Sequence, residues 1–197
     1  MRLPVATHTA RPWLVHHLTP DFVVEDVWAL PASGGPGELP RLLSVMTSGS
    51  FPEGAPSVTR ALWAVRMKLG ALLGWDREDS GLGARVPSLK DRLPSDVPSA
   101  PPAPDGSEFT PLYQLPDEWA AELANRTVHA VMHVGWVEDG SGGYRGEMAV
   151  LVKPNGRAGA LYMWLIKPFR YLWVYPALMR SIERGWRATD AEVGAEA

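Results

Sequence analysis

At 197 residues, 46% hydrophobic and 21% charged, the chain has the make-up of one folded globular domain. A formal charge of −3 leaves no electrostatic footprint for a phosphate backbone, so no nucleic-acid partner is expected. With no cysteine, disulfide frameworks, thiol nucleophiles, thiolate zinc sites and cysteine-ligated iron–sulfur clusters are excluded together.

Residues 1–20 read as an N-terminal extension without the apolar run or cleavage site of a signal peptide, which points to the cytoplasm. One domain is expected over 21–187. Its first strand is Asp21–Leu30, halted by Pro31 and followed by the glycine-rich loop Ser33–Gly37. Glu38–Met46 reads as a short helix, since Leu39, Leu42, Leu43 and Met46 recur at helical spacing. A second helix is expected over Ser57–Leu73, where Val58, Leu62, Val65, Leu69 and Leu72 form one apolar stripe. Five prolines within residues 94–104 forbid a regular element, so 94–108 is expected to be a surface loop of the same domain.

The clearest signal is a β-hairpin. Thr127–Val137 and Tyr144–Lys153 alternate apolar and polar residues around the turn Asp139–Gly143. Folding about Ser141 opposes Trp136 with Gly146, Val134 with Met148, Met132 with Val150, and Ala130 with Val152, all on one apolar face. His129, His133, Arg145, Glu147 and Lys153 fall on the other, which is expected to face outward. Pro154-Asn155-Gly156 then reads as a second hairpin turn leading into a strand, Ala158–Trp164, with Leu161 and Met163 on the apolar face. The chain is expected to close with a helix over Lys167–Arg187, Pro168 in its first turn and Pro176 kinking it near Leu172. Its stripe is Phe169, Leu172, Tyr175, Met179, Ile182 and Trp186, and 188–197 is expected to be a flexible tail.

Chemistry-bearing motifs are sparse. No phosphate-binding loop or serine-nucleophile elbow occurs. His129 and His133, four apart on a strand, stand about 13 Å from each other and cannot share a zinc ion, so no metal site is expected. Glu25, Asp26 and Glu147 could serve as acids or bases, but solvated strand positions are the ordinary reading. Tyr144, turned to the apolar face beside Trp136, is expected to find a backbone carbonyl for its hydroxyl. Leu161–Met179 carries only Lys167 and Arg170 as charges, yet two prolines interrupt it; transient membrane contact is open to it and insertion is not.

Leu62–Gly70 through Gly74-Trp75-Asp76, and Gly159–Arg170, resemble domain-of-unknown-function family 2867. Its bacterial members stand alone or follow a short-chain-dehydrogenase-like domain. That family is similar to the START/Bet v 1-like, polyketide-cyclase-like (SRPBCC) superfamily. The resemblance implies an α+β helix-grip fold: a curved antiparallel sheet around a long C-terminal helix, with two shorter helices after the first strand. It also implies an apolar cavity between sheet and helix, binding a small hydrophobic molecule such as a lipid, polyketide or isoprenoid. A cyclase- or dehydratase-type reaction in that cavity, and a peripheral membrane or protein-interaction role, are the alternatives. Met132, Trp136, Tyr144, Met148, Leu161, Met163, Tyr175 and Met179 are the expected ligand-binding residues. No catalytic residue is assigned, no cofactor is expected, and the oligomeric state is left open.

Overall fold

The computed structural model describes residues 1–48, 82, 86–103, 107, 109–125 and 127–195. The helix expected over 57–73 lies outside them.

The chain is α+β. Its strands are β1 (Arg2–Leu3), β2 (Val23–Gly34), β3 (Thr110–Gln114), β4 (Glu118–Ala124), β5 (Val128–Glu138) and β6 (Tyr144–Pro154). They form one sheet in the order β1-β2-β6-β5-β4-β3, every pair antiparallel. Helices α1 (Val5–Thr9) and α2 (Leu14–Leu18) precede β2, and α3 (Leu39–Ser48) follows it. After β6 come α4 (Gly156–Phe169), a π-helical turn (Arg170–Val174) and the long α5 (Tyr175–Ala195).

The β5–β6 register is the expected one, with Trp136 opposite Gly146, Val134 opposite Met148, Met132 opposite Val150 and Ala130 opposite Val152. β2 continues past Pro31 to Gly34 because its pairing with β6 is irregular between Ala29 and Ser33, where a residue without an N–H is tolerated.

The second hairpin does not form. A type I′ turn needs positive φ at both central residues, and Asn155 has φ −85° while only Gly156 is left-handed, at +73°. Asn155 instead locks a corner: its N–H donates to the Thr127 carbonyl and its Nδ2 to that of Asn125, both at 2.8 Å. The expected strand Ala158–Trp164 is helix α4. A continuous apolar run does not separate a buried strand from a helix by periodicity; at 14 residues the element is longer than an ordinary strand and of ordinary helix length. Pro168 therefore lies inside a helix rather than opening one. The terminal helix continues through 188–195, beyond Arg187.

Both faces of the sheet are covered. On one, Leu30, Val134, Trp136 and Met148 pack against Leu39, Leu42 and Val45 of α3 and Tyr175, Ile182 and Trp186 of α5. On the other, Trp13, Val15 and Leu18 from the first twenty residues, with Leu89 from a 3-10 turn at Leu89–Arg92, cover Val27, Val131, Ala149 and Leu151. The face expected to meet solvent is buried too.

Candidate functional site

Of the expected ligand-binding residues, the structure brings three into one buried cluster: Trp136, Met148 and Tyr175, with Met132, Tyr144 and Met179 half-buried at its margin. Met163 belongs elsewhere, against Val128, Ala130 and Val152, because α4 replaces the expected strand. Leu161 falls in α4, and its side chain lies outside the described residues. The Tyr144 hydroxyl sits 3.4 Å from the Glu138 carboxylate directly across the hairpin, not on a backbone carbonyl. Leu172, expected within the apolar stripe, is 62% exposed. Trp164, Leu165 and Trp173 are exposed as well.

The chemistry on this helix-facing side converges on Asp26, which is 1% exposed rather than solvated. It follows an irregularity in β2 and stands opposite Val150, two residues along from the Trp28–Met148 pair and on the same face. Its Oδ2 accepts from Arg170 Nη2 at 2.5 Å and from the Tyr175 hydroxyl at 2.8 Å, and its Oδ1 from the Tyr171 hydroxyl. Arg170 also donates to the Tyr175 hydroxyl, and Arg2 stands 4.0 Å from Oδ1.

The π turn makes this convergence possible. In an α-helix, residues five apart point about 140° away from each other. An i→i+5 turn realigns them, and the Tyr175 N–H donates to the Arg170 carbonyl in that pattern. Pro176 explains its position: it has no N–H to give the Leu172 carbonyl, and the widened turn relieves the clash. The expected disturbance near Leu172 takes this form.

Electrostatics keep the two phenols and the guanidinium protonated. Burial, then the Asp26 carboxylate, pushes the Tyr171 phenol up to about 12; burial pushes Tyr175 higher still, against the nearby Arg170 charge. Burial opposes the Arg170 charge, but Tyr175 and Asp26 outweigh it and raise its pKa. The Trp28 ring lies 4.7 Å from Tyr175 and 6.2 Å from Tyr171. Its indole N–H is buried and has no partner. The site is thus a carboxyl group, a guanidinium and two phenols set in an apolar cluster, with one donor free.

The opposite face holds a second polar set. His129 and His133 are buried, each on its own carboxylate: His129 Nε2 donates to Glu122 at 2.8 Å and His133 Nε2 to Glu118 at 2.9 Å. A carboxylate only accepts, so His133 Nδ1 is free to accept from His8 Nε2 at 3.1 Å. Glu118 also accepts from the Tyr113 hydroxyl and the Leu14 N–H, and Glu122 from Ser88 and the Leu89 N–H. Burial works to raise both carboxyls, but the histidine and other hydrogen bonds hold them below the usual range. Burial pushes His8 down to about 3 and lowers His133. Glu147, also expected to be solvated, is 1% exposed. Among the described residues no group of three or more His, Cys, Asp or Glu is arranged to hold a metal ion. Nor is any helix there long and apolar enough to cross a membrane.

An α+β chain of this build, with a polar set inside an apolar sheet–helix interface, matches the family described as Protein of unknown function (DUF2867) over residues 18–177. The chain belongs to that family. No curated protein and no solved structure matches it.

Asp26 and its partners were legible only as residue types. An acid in a strand reads as solvent-facing; the signal for burial is the basic and phenolic Arg170, Tyr171 and Tyr175 at i, i+1 and i+5, meaningful only once the π turn is known.

Proposed function

We propose that this protein binds a small amphipathic molecule between the helix-facing side of the sheet and the terminal helix. The body of the ligand, a lipid, polyketide or isoprenoid chain, lies along Met132, Met148 and Met179. Its polar group meets Asp26, Arg170, Tyr171 and Tyr175. The observation that carries this reading is the unpartnered, buried Trp28 N–H beside that set. A buried donor left unmade costs about 1–3 kcal/mol, and an acceptor on the ligand removes that cost. A helix-grip architecture agrees with the pairing of β2 with the last strand, β6, and with α5 packed on the sheet. Methionines along the space suit a body of variable shape.

Chemistry on the same ligand is the second reading, favoured by one detail. A buried carboxylate held between two phenols and a guanidinium places a proton acceptor beside groups able to polarise a carbonyl.

Native mass spectrometry of the purified protein tests both. A retained apolar molecule is expected, lost from a Met148→Trp variant. Absence of any bound molecule, together with no binding of a fluorescent apolar probe, rejects the binding reading. If Asp26→Asn retains a molecule of different mass from the parent's, the site also turns its ligand over.

A further inference from the structure

Six of the seven buried side-chain polar atoms without a hydrogen-bond partner among the described residues lie on the other face of the sheet. They are Glu147 Oε1 and Oε2, Arg145 Nε, Arg11 Nε, Trp13 Nε1 and His8 Nδ1. Buried polar groups are normally satisfied, so a gathering of orphans at one place marks something the protein alone does not supply.

The frame around them is small-residue sheet. Glu147 stands on β6 directly between Gly135 of β5 and Ala29 of β2, so neither flank carries more than a methyl group. The Trp13 ring lies over Gly135, where even a Cβ would come within 2.9 Å of it. The Arg11 guanidinium sits 5.9 Å from the Trp13 ring, and Arg145 is two residues from Glu147 on the same strand face. Burial raises the Glu147 carboxyl, while the charges of Arg11 and Arg145 pull it back. Both guanidiniums are therefore within electrostatic reach, yet neither closes onto the carboxyl. A buried carboxylate beside an arginine ordinarily takes a direct, charge-assisted pair. Here the gap stays open. Arg11 and Arg145 are half-buried, so both side chains reach solvent beside the buried carboxyl.

We propose that Glu147, Arg11, Arg145 and Trp13 form a binding site for a small hydroxycarboxylate anion, separate from the space against the terminal helix. The inventory of groups sets the ligand. Two guanidiniums and one carboxylate leave one positive charge, which a monoanion neutralises. Three N–H donors are unmade, and a carboxylate's two oxygens offer about four acceptor positions. Glu147 needs a donor, which a hydroxyl next to the ligand carboxylate supplies. With the Trp13 ring already over Gly135 and only a methyl group at Ala29, the smallest hydroxycarboxylates are the ones that fit.

Titration calorimetry with glycolate, and with acetate as the analogue lacking the hydroxyl, tests the assignment. Glycolate is expected to bind at least about tenfold more tightly than acetate, the loss for a hydrogen bond to a charged group. In Glu147→Gln that preference should shrink. In Arg145→Met both anions should weaken together, by about tenfold or more. Trp13→Phe keeps an aromatic ring but removes the N–H together with part of the indole's packing area, and should weaken both modestly. Far-UV circular dichroism checks that each variant is folded. No heat with glycolate at tens of millimolar, or equal affinity for glycolate and acetate in the parent protein, overturns the proposal. So does an unchanged preference in a folded Glu147→Gln variant. A crystal structure grown with glycolate that shows only ordered water against Glu147 overturns it as well.

Discussion

The two faces of the sheet are both buried, and by opposite means. The face beneath α3 and α5 is apolar apart from the Asp26 set and is held by area: Trp136, Met148, Ile182 and Trp186 exclude water from one another. The face beneath the first twenty residues is half polar, and Glu118, Glu122, His129 and His133 persist there because each is matched. Alternation along a strand therefore identifies two sides; it does not say which of them meets water. A polar side can be an interior side when acids and bases stand diagonally across neighbouring strands, as the pairs Ala120–His133 and Glu118–Gly135 place them here.

If matching holds the polar face, breaking one match should be the most damaging single change. Glu118→Ala strands His133, the Tyr113 hydroxyl and the Leu14 N–H at once, with an expected loss of about 3–5 kcal/mol. Urea unfolding measures it. A loss under about 1 kcal/mol would mean that the aliphatics of this face hold it alone. The same logic reverses the expectation that His129 and His133 face outward: alanine at both should destabilise the fold as well.

The apolar face should respond to volume instead. Met148→Ala is expected to cost about 2–5 kcal/mol by transfer and cavity terms. Met148→Trp separates solid core from ligand space. A filled interior should lose about 1–3 kcal/mol to overpacking, whereas a binding space should absorb the indole and lose affinity for an apolar probe. Thermal unfolding and probe titration on the two variants read both quantities.

What the sequence made legible follows the same division. The β5–β6 register could be read because alternation over eleven residues fixes it, and a slip of one residue would mix the two sides. Helix α3 was readable from its leucine spacing. α4 was not, because Ala158–Trp164 is apolar throughout and carries neither a period of two nor one of 3.6. The turn signal Asn155-Gly156 pointed the wrong way, since Asn155 is used as a corner lock by distant carbonyls. The site was unreadable for a related reason: Asp26 lies 144 residues from Arg170, and only the packing of the helices on β2 and the π turn bring them together. Glu147, His8 and Arg11 likewise depend on the first twenty residues folding back over the sheet.

Acid should distinguish the faces by a smaller margin. His8 is held from the ordinary 6.5 down to about 3, mainly by burial, so the folded state binds fewer protons there than the unfolded chain does. Stability from His8 is full above about 6.5 and drains as pH falls toward about 3. His133 is lowered in the same direction. Glu118 and Glu122, held below their ordinary 4.5, lose theirs as pH falls below that value. Glu147 runs the other way: its raised pKa means that protonation near 4.5 and above favours the folded state and offsets part of the loss. The net expectation is a fall on the order of a few kcal/mol between pH 7 and 4. It should appear first in the segment bearing His8 and Trp13. Hydrogen exchange at the two pH values should show the Val15 and Leu18 amides losing protection before those of Ile182 and Trp186. Equal loss on both faces would detach the histidine pair from the clamping of that segment.

The smallest effect belongs to the exposed edge of the polar face, and it sharpens what matching requires. Asp21 there pairs with Arg92 at 2.8 Å and with Lys153 at 2.7 Å, distances as short as those of the buried pairs. The hydrogen bonds from Arg92 and Lys153 hold its carboxyl well below the usual range. Geometry alone would rank this triad with Glu118 and His133. Exposure does not: the three side chains are 37%, 40% and 47% exposed, so water and salt screen the attraction and two long side chains must be held still to gain it. Asp21→Asn is therefore expected to cost less than about 1 kcal/mol, and less again in 0.5 M sodium chloride, where Glu118→Ala should lose as much as it does at low salt. Urea unfolding of the two variants at both salt concentrations makes the comparison. A similar cost for both would show that the matched charges matter by contact geometry and not by their removal from water.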